Sequence, residues 1–104
     1  MPQLITVFWR DIPAQVIAKE RRQQEKVQLT DRFAQAIDAA AMRADLVGTD
    51  AYLEQWRRSP DRCGDDLRAE VDAAAARLEQ EYDKDRLMAL VRNLGFAPEN
   101  EGDS

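Results

Sequence analysis

A chain of 104 residues has room for one domain and no second core. With no histidine and a single cysteine, Cys63, it cannot build a Ser-His-Asp triad, a Cys-His pair, an imidazole zinc site or an internal disulfide. The net charge of −5 is uneven: residues 1–60 carry nine Lys/Arg against eight Asp/Glu, and residues 61–104 six against twelve. That balance argues against a nucleic-acid partner.

"LITVFW", Leu4 to Trp9, is rich in β formers and apolar on both alternating faces, which predicts a strand central in its sheet. Ala14 to Ala18 reads as a second strand. Pro13 has no amide to donate, so a tight corner is expected at Asp11-Ile12-Pro13. Lys19 to Gln28 is polar and charged, and is expected to be an exposed connection. Thr30 is positioned to cap a first helix with its hydroxyl, and Asp31 suits the positive helix end. Phe33, Ile37, Ala40 and Ala44 repeat at helical spacing, with Ala36 beside them, and Val47-Gly48 is the expected stop.

Tyr52 and Trp56 share a face in either a strand or a helix, and Tyr52–Arg58 is assigned as the third strand. Asp65-Asp66 opens the next helix, with Leu67, Val71, Ala74, Leu78 and Tyr82 as its stripe. Leu87, Leu90, Val91 and Leu94 point the opposite way, so the helix breaks at Asp83-Lys84-Asp85. Gly95 supplies a left-handed stop, with Phe96 folding back. The domain is expected over 1–96, followed by a disordered acidic tail over 97–104. The fold class is α+β, a two-layer domain with a three-stranded, mostly antiparallel sheet (β-β-α-β-α-α) and helices on one face.

The candidate binding residues are Trp9, Arg10, Asp11, Gln15, Trp56 and Arg57. An Arg beside an aromatic can clamp a carboxylate or other anion, and Asp11 can orient it. In the plainer reading, Asp11 caps a turn, Arg10 is solvated and the tryptophans are core. If the corner is a site as well as a turn, Arg10→Ala is expected to leave stability within about 0.5 kcal/mol while abolishing capture of a partner; in the plainer reading capture is unchanged. Cys63 stands near a helix start, which lowers a thiol pKa, but its aspartate neighbours oppose that and no base is at hand. No metal or cofactor is expected. Lys19 to Lys26 offers only a mixed charge run to nucleic acid. No apolar run spans a membrane and no basic leader opens the chain, so a cytoplasmic location is expected.

"ITVFWRDIPAQVIAK" together with "LTDRFAQAIDAAAMRADLVGTDAYLEQW" resembles the small bacterial domain called the virulence factor family, which also occurs within conserved virulence factor C. "WRDIPAQV" is the most distinctive string. The family name records a phenotype and implies no reaction. The resemblance implies an accessory protein linked to folate- or corrinoid-dependent methyl transfer, and it gives weight to Trp9 through Gln15 as a functional surface. The leading expectation is a non-enzymatic binding or accessory domain for a protein partner or small anionic ligand. The alternative is a small enzyme or redox protein using Cys63 or the Arg10/Asp11 pair.

Overall fold

The computed structural model describes residues 1–97. In chain order the elements are β1 (Gln3–Trp9), β2 (Ile12–Glu20), β3 (Gln23–Gln28), α1 (Asp31–Arg43), α2 (Asp50–Glu54), β4 (Trp56–Arg62), α3 (Leu67–Glu81) and α4 (Lys84–Arg92). The class is α+β, as read from the sequence, but the sheet has four antiparallel strands rather than three, ordered β3-β2-β1-β4. The missed strand is β3, which lies in the supposed connection Lys19–Gln28. It is an edge strand of mostly exposed polar residues, held by pairing with β2 and not by a hydrophobic face of its own.

Tyr52–Arg58 divides in two. Thr49 accepts a hydrogen bond from the Tyr52 amide through its side chain and starts the short helix α2, so Tyr52 is helical and the strand begins only at Trp56. All of β4 is exposed, and an edge position accounts for its tolerance of Pro60. The first corner is also displaced: the turn is Arg10-Asp11, and Pro13 lies inside β2 beside a bulge. Val7 pairs with Gln15 and Phe8 with Pro13, which leaves Ala14 unpaired.

β1 is central, as its apolar alternation requires. Positions directly opposite in an antiparallel pair share a face. One face carries Leu4, Thr6, Val16, Ala18 and Val27, and it meets α3 through Leu67, Val71, Ala74 and Leu78. α1 packs on β2 and α4, contributing Phe33, Ala36, Ile37, Ala40 and Ala41 to the same core. Trp9 and Ile12 are wholly buried there. The other face places Ile5 opposite Ile17 and Pro60, and these isoleucines, although buried, stand outside the main cluster.

Two helix details differ from expectation. α1 ends at Arg43, before Val47-Gly48, because Asp45 takes a left-handed turn at φ 61°. The Thr30 hydroxyl does not cap α1 but donates to Glu79 on α3 (3.0 Å). Glu79 also receives the Thr30 amide (2.8 Å) and Arg32 (3.0 Å), so the start of α1 is pinned to the last turn of α3. The break between α3 and α4 falls where the two stripes diverge, and Asp83 caps α4 by accepting from the Arg86 amide. Gly95 does turn left-handed, at φ 94°; the stretch 98–104 of the expected tail lies outside the described residues.

Candidate functional site

Trp9, Arg10 and Asp11 end β1 and turn into β2, where the tail of α4 meets them. The Trp9 indole is fully buried and donates its Nε1–H to the Tyr52 carbonyl (3.0 Å), with the Tyr52 ring against it. Arg10 adopts φ 54°, a left-handed conformation that a non-glycine residue holds only when its surroundings enforce it. Its guanidinium stacks over both Trp9 (5.1 Å) and Phe96 (4.3 Å). It donates to the Leu94 carbonyl (2.7 Å) and to Gln55 Oε1 (3.0 Å). The Arg10 amide is bonded to the Gln55 carbonyl and the Asp11 amide to the Gly95 carbonyl. A Cβ on Gly95 would come within 2.9 Å of Trp9, so glycine is required there by both φ and close approach.

Asp11 is equally occupied. Oδ1 pairs with Arg57 (3.1 Å) and Oδ2 accepts the Ala97 amide (2.6 Å). "WRDIP" is therefore a clasp that ties three distant segments together: the β1 end, the start of β4 and the turn after α4. The solvated Arg10 gives way to an arginine whose Nε and Nη1 are engaged inside the protein. The structure brings Trp9, Arg10, Asp11 and Arg57 together. Trp56 lies alongside, edge-on to Tyr52, while Gln15 pairs in the sheet with Val7 and Gln28, apart from the clasp.

Beside the clasp opens a cleft of about 520 Å³, lined by Phe8, Asp11, Arg57, Tyr82, Arg86 and, from α4, Ala89 and Leu90, with Ala97 at its edge. Two stacks frame it. Arg57 lies over Phe8 (4.4 Å) and Arg86 over Tyr82 (4.0 Å). Each guanidinium is held by the protein: Arg57 donates to the Arg10 carbonyl (3.1 Å) and to Asp11, itself a lining residue, and Arg86 to the Glu81 carbonyl (3.0 Å). Among the described residues, Arg57 Nη1 and Arg86 Nε and Nη2 have no protein acceptor. Burial pushes the Tyr82 phenol up; Arg86 and Arg57 pull it down, and Glu81 and Asp11 raise it further. It stays a neutral hydroxyl at ordinary pH. The cleft thus joins an apolar floor to held but unspent donors, a composition suited to an anion.

Phe8, Tyr82 and Arg86 were absent from the sequence-based candidates. The available signal was Tyr82 four residues before Arg86, but it spans the break between two helices, where helical spacing carries no geometric meaning. Cys63 is set apart from the cleft. Burial pushes its thiol up, and Glu70, Asp65, Glu20 and Asp61 push it further, which disfavours the thiolate a nucleophile needs. Among the described residues no cluster of His, Cys, Asp or Glu is arranged to hold a metal, and no helix is long and apolar enough to cross a membrane.

Residues 7–91 match the family described as "Virulence factor". No curated protein and no solved structure matches the chain.

Proposed function

The chain belongs to the virulence factor family, and from that premise we propose that it is a non-enzymatic binding domain for a small anion, held in the cleft between β1 and α4. One observation carries the reading: two arginines from separate elements, each stacked on an aromatic ring, present unspent donors to the same cavity. Stacking and hydrogen bonds within the protein hold both side chains in place before a ligand arrives, which lowers the entropy lost on binding. The ligand is a carboxylate or phosphate with an apolar portion to lie on Phe8, Ala89 and Leu90. Arg10 is a positioning residue: it holds Leu94 and Phe96, while its own carbonyl receives Arg57. The proposed setting is the cytoplasm, in an accessory role beside folate- or corrinoid-linked methyl transfer, as the resemblance implies. Polycarboxylates such as the glutamate tail of a folate are anions of the right kind.

Titration of the ¹⁵N-labelled protein with inorganic phosphate and with glutarate tests this. Saturable shifts at Ala89, Leu90 and Ala97 are expected, lost in Arg86→Gln with the melting temperature unchanged. Shifts that survive in Arg86→Gln, or no saturable shift with either anion, would refute the cleft.

A further inference from the structure

The sheet face turned away from α3 carries a second pattern, independent of the cleft. The pairing registers place its residues in three rows across β3, β2, β1 and β4: Gln24-Lys19-Gln3-Arg62, Lys26-Ile17-Ile5-Pro60 and Gln28-Gln15-Val7-Arg58. Every charged residue in these rows is basic, within a protein of net charge −5. The acidic residues of the paired strands, Glu20, Glu25 and Asp61, fall on the opposite face by alternation. Lys19, Lys26, Arg58 and Arg62 are all exposed, and among the described residues none of them forms an ion pair. They surround an apolar centre in which Pro60 is exposed and Val7 half-buried, over the buried Ile5 and Ile17.

We infer that this face is a docking surface for an acidic amphipathic segment of a partner protein, one with an apolar ridge flanked by carboxylates. The charge pattern selects the flanks, and Val7 and Pro60 select the ridge. A nucleic acid fits less well. Four strands span only about 15 Å, so a polyanion would run on to the acidic remainder of the domain. A second copy meeting this face with its own would bring like charges together.

The test uses the full chain and a synthetic amphipathic peptide with a leucine stripe flanked by glutamates, titrated at low salt and followed by amide shifts. Binding is expected at Ile5, Val7 and Ile17, weakened at least about tenfold in Lys19→Glu/Arg58→Glu and on raising salt. Should that variant fail to fold, Lys26→Gln/Arg62→Gln serves in its place, with a weakening of about threefold expected. The proposal is overturned by no binding at low salt, by equal binding to either variant, by tighter binding to a single-stranded oligonucleotide than to the peptide, or by a concentration-dependent dimer that the variant abolishes.

Discussion

The β1–β2 and β2–β3 hairpins both turn on an arginine in the left-handed region, Arg10 at φ 54° and Arg21 at φ 56°. Each of these conformations costs roughly 1 kcal/mol for a residue with a Cβ. At Arg10 the cost is more than offset by two ring stacks and two charged hydrogen bonds. At Arg21 nothing visible offsets it: among the described residues its side chain makes no hydrogen bond or ion pair, and the turn borders an open hollow with Glu20, Gln23 and Asp65. Equal backbones therefore serve unequal purposes. One turn holds the C-terminal segment against the core, and the other only reverses the chain.

The largest effect belongs to the buried end of the clasp. Trp9→Ala should cost about 3–5 kcal/mol in a denaturant melt, since a fully buried ring is removed and the Tyr52 carbonyl loses its donor. A loss under 1 kcal/mol would mean that the corner is not part of the core. Arg10→Gly should cost about 2 kcal/mol even though it relieves the backbone, because the stacks and the bonds to Leu94 and Gln55 go with the side chain. Amide exchange should rise at Asp11 and Ala97 in that variant, the two amides that tie the corner to the turn after α4.

An ion-paired junction outside both turns sharpens the comparison. Burial alone would raise the Glu79 carboxyl, but hydrogen bonds from the Thr30 amide, Arg32 and the Thr30 hydroxyl, with the Arg32 charge, hold it below its ordinary value. Because the folded pKa is the lower one, its stabilisation is complete above the unfolded value near 4.5 and fades as pH falls through the lowered folded value. Glu79→Gln should cost about 1 kcal/mol at neutral pH, and the gap from wild type should close in acid. A gap independent of pH would show that the carboxylate charge is not what pins α1 to α3.

Much of the fold was legible because burial writes itself into a sequence. The apolar alternation of β1, the stripe of α1 and the opposed stripes of α3 and α4 each gave the right element. What was hidden is held by neighbours. β3 and β4 are edge strands whose residues are mostly solvent-facing, so their pairing comes from β2 and β1 and leaves no apolar period. The site divides the same way. Trp9, Arg10, Asp11 and Arg57 stood out as aromatic–cation neighbours and do converge, yet most of them serve the clasp. The cleft they support is completed by Phe8, Tyr82 and Arg86, whose stacks join residues that no local spacing connects.

The smallest expected effect is the most telling. Arg21→Gly should leave stability unchanged or raise it by up to about 1 kcal/mol, since only backbone strain is lost. Urea melts of Arg10→Gly and Arg21→Gly, run side by side on the full chain, test directly whether the first corner is a clasp. The account predicts a clear loss for Arg10→Gly and none for Arg21→Gly, with wild-type m-values for both. Equal effects in the two turns, or a stabilised Arg10→Gly, would contradict it.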